Sequence, residues 1–356
     1  MCRYPHRHSI FCVVPPYMLR SIVMHGSDAE RAEAAHTLGV GTTIRQYRTQ
    51  LAVRVPFGRI KRPVVQVKQR IISSAGNEET LPGTLVRQEG AGPTNDLAVD
   101  EAYDGLGQTF DFFHRIYKRN SIDDEGMPLR ATVHYGRNFN NAMWDGERMI
   151  FGDGDGEYFK RFTIALDVIA HELGHGVTQD ESRLAYTFQA GAINEHLSDV
   201  WGSLVKQWVL RQTVDQADWL IGAGLFGPNV KGRAMRSLKE PGTAYDDPIL
   251  GKDPQPAHMD NYVTTWEDNG GVHINSGIPN RAFYLAAAAI GGYAWEKTGT
   301  VWYTALRDSR MTDETSFEIF ANLTIDIARQ MPDLLEAEKK AVADAWAAVG
   351  VLSAGA

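Results

Sequence analysis

The stretch Asp167-Val-Ile-Ala-His171-Glu172-Leu-Gly-His175 sets two imidazoles four residues apart, with a carboxylate directly after the first. On a helix, positions four apart share a face, so both rings can reach one ion while Glu172, about 100° round the axis, flanks it. Such a donor set suits Zn²⁺, which few protein ligands leave with an open position. A water bound there is acidified enough to serve as a nucleophile near neutral pH. The chemistry implied is hydrolysis of a peptide bond, with Glu172 placed to hold the water. Gly174 and Gly176 each cost a helix interior about 1 kcal/mol relative to alanine, so the spacing also predicts close packing of this helix against a neighbour.

Two histidines do not close a metal site. Gly191-Ala-Ile-Asn194-Glu195-His196-Leu-Ser-Asp199 offers the next donors, since Glu195 and Asp199 are again four apart. On a second helix one carboxylate can coordinate the ion while the other accepts the spare N–H of a ligand histidine, fixing its tautomer. Alone, this pair would read as an exposed acidic edge; His171 and His175 upstream turn it into a candidate ligand segment.

These two helices need a scaffold, and 356 residues suffice for a large core divided into two domains behind an N-terminal extension. The fold class expected is α+β. Residues 67–178 form a β-rich domain with strands at Arg70-Ile-Ile-Ser and Arg130–Tyr135, a helix from Ala98 to Tyr117, and the histidine helix at its end. Residues 179–356 are mainly helical, with periods over 193–209, 280–290, 317–328 and 334–349. Gly152-Asp-Gly-Asp-Gly156 lacks both the Gly-Lys-Ser/Thr of a phosphate loop and the terminal glutamate of a calcium loop, so a plain tight turn is expected. Residues 1–66 stand apart: Ser27-Asp-Ala-Glu30 opens a short helix with a capping box, and the bases Arg45, Arg48, Arg54, Arg59, Lys61, Arg62, Lys68 and Arg70 read either as a solvated linker or, given the metal motif, as a processing region between an enzyme and a prosegment that inhibits it or assists its folding.

A net charge of -8 argues against a nucleic-acid surface, and no apolar run approaches the roughly 18 residues that span a bilayer. A monomer acting on peptides or proteins is expected. The only cysteines are Cys2 and Cys12, which leaves the body without a disulfide. Ile10-Phe-Cys-Val-Val14, broken by Pro15-Pro16, is no ordinary signal peptide, so the expectation is a cytoplasmic precursor or one exported by another route.

Taken with Asn140-Asn141-Ala142-Met-Trp144, Gly152–Gly156, Met235-Arg236-Ser and Asp268-Asn-Gly-Gly-Val-His273-Ile-Asn-Ser-Gly, the two ligand segments resemble the thermolysin-like neutral metallopeptidases from about residue 70 onward. Pro15-Pro16-Tyr17 on a short prosegment is similar to their protealysin-like branch. The resemblance implies a cleft between the two domains, with the zinc helix at the junction. It implies zinc held by His171, His175 and Glu195, with Asp199 behind them, and Glu172 as the base that takes a proton from the water and returns it to the leaving amine. Tyr186 and His273 would stabilise the oxyanion, with Asp268 orienting His273. Asn141 and the Ala142 carbonyl would hold an extended substrate, and Arg236 would grip the carbonyl after the scissile bond. Phe159, Phe162, Val168, Ile221 and Met235 match the pocket for the residue after the cut, which implies a preference for Leu, Phe or similar side chains.

The departures from the family are as informative. Asp167 and Asp218 match two acids of the family's double calcium site, but Lys206 stands in place of the bridging glutamate, and Ala223 and Gly224 replace two further acids. An ammonium cannot bind Ca²⁺, so Lys206 is expected to pair with Asp167 and Asp218 and the double site to be absent; calcium elsewhere stays open. For Cys12, a thiolate on the metal is the minor reading and inhibition by the bulk of the prosegment the major one. An aminopeptidase would need an amine-binding motif such as Gly-x-Met-Glu-Asn, absent here, and a catalytically silent scaffold would have lost Glu172, Tyr186 or His273, all of which are present.

Overall fold

The computed structural model describes residues 11–40, 67–182 and 184–353; Cys2 and the bases from Arg45 to Arg62 lie outside the described residues. Six strands make the first sheet: β1 (Phe11–Cys12), β2 (Arg70–Ser74), β3 (Thr84–Gln88), β4 (Leu129–Val133), β5 (Ala142–Trp144) and β6 (Met149–Phe151). Their order is β1-β5-β6-β4-β2-β3, with β2, β4 and β6 mutually parallel and the other pairs antiparallel. Helix α3 (Leu97–Tyr117) crosses this sheet. Asp96 caps it by accepting the N–H groups of Ala98 and Val99, and Val99, Ala102, Leu106, Phe110 and Phe113 recur at helical spacing on its buried side.

The second half is helical, as the periodicity predicts. Helix α4 (Leu166–Glu181) and helix α5 (Phe188–Leu210) carry the two ligand segments and lie against one another. Their closeness depends on glycine. A Cβ on Gly174 would sit 2.9 Å from Trp201 Cδ1 and 3.3 Å from Ser198 Cα, and one on Gly202 would sit 2.5 Å from the Asp167 carbonyl oxygen. The packing expected of Gly174 is therefore packing against the other ligand helix. Helices α6 (Asp268–Asn275), α7 (Gly277–Ile290), α8 (Lys297–Leu306), α9 (Phe317–Gln330) and α10 (Glu336–Ala348) complete the domain around Trp302, Trp346, Phe283 and Phe320. Helix α8 is not anticipated by the sequence reading: Thr298, Gly299 and Thr300 are weak helix formers, and burial of Val301, Trp302 and Tyr303 outweighs that propensity. Among the described residues no helix is long and apolar enough to cross a membrane.

The N-terminal segment folds as β1, helix α1 (Pro16–His25) and a helix α2 over residues 28–40, and it packs against the rest of the chain. Strand β1 pairs antiparallel with β5, placing Phe11 opposite Trp144 and Cys12 opposite Met143. Strand β5 would otherwise present an unpaired edge, and a short extended run is the natural partner for one. Helix α1 starts at a proline, whose missing N–H costs nothing at a first turn, and buries Met18, Leu19 and Ile22. At the start of α2 the Ser27 N–H donates to Glu30 Oε2 at 2.6 Å, half of the expected capping box.

Candidate active site

His171 and His175 project from one face of α4 with their Nε2 atoms 3.1 Å apart. Glu195, from α5, completes a triangle, with Oε2 3.5 Å from His171 Nε2 and Oε1 3.4 Å from His175 Nε2. Ligands about 2.1 Å from a tetrahedral ion lie about 3.4 Å from one another, so these three donors fit zinc. The donor atoms of Glu172 also lie within 4.8 Å of both histidines. Glu172 Oε2 is already engaged by the Trp144 N–H at 2.9 Å, whereas Glu195 faces the Nε2 atoms of both histidines. Glu195 Oε2 and Glu172 Oε1 are buried without a protein hydrogen bond, which an ion and its water would relieve.

Behind the triangle each imidazole is oriented from its far side. Asp199 Oδ1 lies 2.8 Å from His171 Nδ1, while Asn194 Oδ1 and Ser198 Oγ lie 2.8 and 2.9 Å from His175 Nδ1. Burial alone would raise Asp199, but the Arg236 guanidinium and His171 hold it well below the usual carboxylate range. A buried chain continues outward. The Trp302 indole N–H donates to His196 Nε2 (2.8 Å), so the His196 proton sits on Nδ1 and donates to Asn280 Oδ1 (2.8 Å), and Asn280 Nδ2 donates to Asp199 Oδ2 (2.9 Å). The sequence reading missed Asn194, Ser198, His196, Asn280 and Trp302 as a group. Asn194, His196 and Ser198 lie inside the quoted ligand segment, whereas nothing local marks Asn280 or Trp302.

Burial, reinforced by the Glu195 charge, pushes the Glu172 carboxyl well above its ordinary range, and burial with the neighbouring His171 pushes His175 well below its own. Tyr186 OH donates to Glu195 and lies 3.3 Å from His273 Nε2. His273 is held through Nδ1 and its own backbone N–H by the two Asp268 oxygens, at 2.6 and 2.9 Å. That grip requires the chain to double back over Asp268, Asn269, Gly270 and Gly271, with φ of 51, 53, 89 and 74°. Two glycines in the run make the left-handed turn affordable. Against the opposing effect of burial, the Asp268 and Glu195 carboxylates push His273 up to about 9.

The residues expected to bind a substrate backbone all contact the N-terminal segment. His273 Nε2 is 3.2 Å from the Cys12 carbonyl, the Val13 N–H donates to the Ala142 carbonyl (3.1 Å), Arg236 Nη1 donates to the Val13 carbonyl (3.2 Å), and the Val14 N–H donates to Asn141 Oδ1 (3.1 Å). Arg236 is at the same time bound to both Asp199 oxygens at 2.9 Å. Phe159, Phe162, Val168, Ile221 and Met235 are each at most 1 % exposed and belong to the same apolar core as Val13. Cys12 belongs instead to a separate apolar cluster with Tyr135, Phe139, Met143 and Ile150, and its thiol is not among the ligand atoms grouped with His171 and His175.

Lys206 Nζ lies 2.8 Å from Asp167, 2.9 Å from Asp218 and 2.7 Å from the Leu220 carbonyl. In the Gly152–Gly156 turn, Asp155 Oδ1 accepts three successive N–H groups, from Glu157, Tyr158 and Phe159.

A buried His-His-Glu pocket on paired helices, placed where a β-rich domain meets a helical one and flanked by a carboxylate and a tyrosine–histidine pair, has the donor set and setting of a metallopeptidase site. Residues 37–179 match the family model of the thermolysin metallopeptidase catalytic domain, and residues 182–351 match that of its alpha-helical domain. The chain belongs to the thermolysin metallopeptidase family and is a metalloendopeptidase. It is 51% identical over 345 residues to an extracellular metalloprotease of Pectobacterium carotovorum subsp. carotovorum, covering 96% of each chain. It is 35% identical to a thermolysin of Bacillus sp. (strain EA1), covering 77% of this chain and 50% of that protein. In three dimensions it is similar to the precursor of protealysin from Serratia proteamaculans, with a TM-score of 0.87, 52% identity, and coverage of 96% of this chain and 100% of that one.

Proposed function

We propose that the chain is the precursor of a zinc endopeptidase that cuts on the N-terminal side of bulky apolar residues and is held inactive by its own residues 11–40. The observation that carries this reading is the line of Asn141, Ala142, Arg236 and His273 along one extended peptide, each making a backbone contact that a substrate would take over. His171, His175 and Glu195 would hold the zinc, which supplies Lewis-acid polarisation of the carbonyl and an acidified water. Glu172, tethered by Trp144, keeps one oxygen free to take the proton of that water and pass it to the leaving nitrogen. Tyr186 and His273 offer an O–H and an N–H to the developing oxyanion, and Asp268 keeps the His273 proton in place. The apolar wall of Phe159, Phe162, Val168, Ile221 and Met235 favours Leu, Phe or similar bulky apolar side chains after the cut. Lys206 takes the place of calcium between Asp167 and Asp218.

The test pairs metal analysis with an internally quenched peptide. The matured wild type is expected to carry about one zinc and to cut before an apolar residue. Glu172→Ala is expected to keep the zinc and lose on the order of 10²–10⁴-fold in rate. A metal-loaded Glu172→Ala enzyme as active as wild type would overturn the reading, and cleavage mainly beside charged residues would overturn the specificity.

A further inference from the structure

We propose that the Cys12–Val13 peptide bond is a substrate of the precursor's own active centre, cut in cis. The inference rests on the function proposed above and adds a bond and an order of events to it. Strand β1 does more than cover the cleft. Its backbone runs antiparallel to β5, and consecutive peptide groups meet consecutive binding groups: the Cys12 carbonyl meets His273 (3.2 Å), the Val13 N–H meets Ala142 (3.1 Å), the Val13 carbonyl meets Arg236 (3.2 Å) and the Val14 N–H meets Asn141 (3.1 Å).

The register identifies the bond. His273 is the donor that faces the Cys12 carbonyl, with the Tyr186 hydroxyl, which here donates to Glu195, beside it, so that carbonyl is the one placed to become tetrahedral. Arg236 grips the next carbonyl, that of Val13, and the bond between the two is Cys12–Val13. The base is at hand as well, since the N–H that tethers Glu172 belongs to Trp144, the residue paired with Phe11 immediately before Cys12. Val13 is fully buried in the same apolar core as Phe159, Phe162, Val168 and Met235 and is itself β-branched and apolar. In the step, water adds its oxygen to the Cys12 carbonyl carbon and the C–N bond breaks. One proton of the water passes through Glu172 to the Val13 nitrogen as the bond breaks and the second follows it, leaving a Cys12 carboxylate and a Val13 ammonium.

This cut does not by itself release the cleft. Residues 13–40 keep the Arg236 and Asn141 contacts, the Ser21 hydroxyl bond to the Ile249 carbonyl at 2.6 Å and the buried Met18, Leu19 and Ile22. The precursor should therefore accumulate as a nicked, still inhibited form until the chain is also severed beyond residue 40. Because the strand that carries the bond is held by His273, Ala142, Arg236 and Asn141 of its own chain, the nick should be first order in precursor.

Zinc-loaded full-length precursor is followed by intact mass and N-terminal sequencing. A chain beginning at Val13 is expected, forming with a first-order rate constant unchanged over a tenfold range of precursor concentration. Val13→Leu should be nicked at a rate within about threefold of wild type, whereas Val13→Asp should be nicked at least tenfold more slowly. A Glu172→Ala precursor should stay intact at this bond even when mixed with matured wild-type enzyme. Three results would overturn the proposal: a bond that stays intact while the matured enzyme cuts the quenched peptide, nicking of the Glu172→Ala precursor by added enzyme as fast as wild type nicks itself, or Val13→Asp nicked as fast as wild type. The first and second of these leave the proposed function standing, and the third alters only its specificity; failure of both the nick and the quenched-peptide cleavage would remove the proposal and the function together.

Discussion

Helix α4 carries two clusters that attract a cation, and the chain treats them in opposite ways. In its first turn, Asp167 meets an ammonium supplied by the chain, with Lys206 Nζ 2.8 Å away and also bound to Asp218 and the Leu220 carbonyl. One turn later, His171 and His175 face Glu195, and the described side chains bring no cation between them, while Glu195 Oε2 and Glu172 Oε1 stay without hydrogen bonds. The first cluster already holds a cation of the chain's own, which offsets one of its two carboxylate charges. The second is complete only with an ion from outside, which is what makes it a place for chemistry. Burial works against the Lys206 charge, yet Asp167 and Asp218 more than offset it and raise its affinity for the proton.

The comparison breaks most visibly at the second cluster. Glu195→Gln is expected to leave no zinc after dialysis and no measurable peptide cleavage, read by metal analysis and turnover on the matured enzyme. Next in size, Lys206→Met strands Asp167, which is 2 % exposed, and should cost about 2–4 kcal/mol, seen as a lower Tm with zinc content unchanged. Lys206→Glu should be equally unstable in a chelator and recover with millimolar calcium. A wild type that itself loses stability when calcium alone is removed would show that the first cluster is not self-sufficient.

Smaller effects sharpen the contrast. Asn280→Ala cuts the chain from Trp302 to Asp199 and should weaken zinc binding about tenfold while leaving KM for peptide unchanged, measured by competition with a chromogenic chelator. Smallest is a pH effect away from both clusters. His134, at φ 53°, is clamped between Asp153 (2.8 Å) and Asp96 (2.9 Å); the Asp153 hydrogen bond is the main cause that pushes it up to about 9 from 6.5. Because its folded value is raised, the stabilisation is full below about pH 6.5 and is lost as pH rises through 9. The Tm difference between wild type and His134→Gln should therefore shrink from pH 6 to pH 9.5, from about 1 kcal/mol after allowance for solvent screening. A difference that stays constant across that range would mean that the clamp acts by shape alone.

Much of the fold and the metal site was legible from spacing. The four-residue separations of His171 and His175 and of Glu195 and Asp199 hold because helical geometry is local, and the apolar periods anticipated α3, α5, α7, α9 and α10. Helix α8 and the helical start at Pro16 escaped, the one because weak helix formers are carried by buried aromatics, the other because a ten-residue helix gives little periodic signal. Lys206 was readable as a pairing partner only beside its family's pattern; its third contact, to the Leu220 carbonyl, was not.

Sequence by itself determined which donors can share a helix face, which charge sits where a calcium ligand would, and that the chain is an α+β metallopeptidase with an N-terminal extension. The tertiary structure alone decided that Trp302 and Asn280 stand behind the zinc helix, over a hundred residues from His171 along the chain, and that Cys12–Val13 lies against Arg236 and His273. The reason is range. Periodicity records what neighbours along the chain must do, whereas docking an edge strand or closing a buried hydrogen-bond chain depends on surfaces that exist only once the helices and sheet have packed.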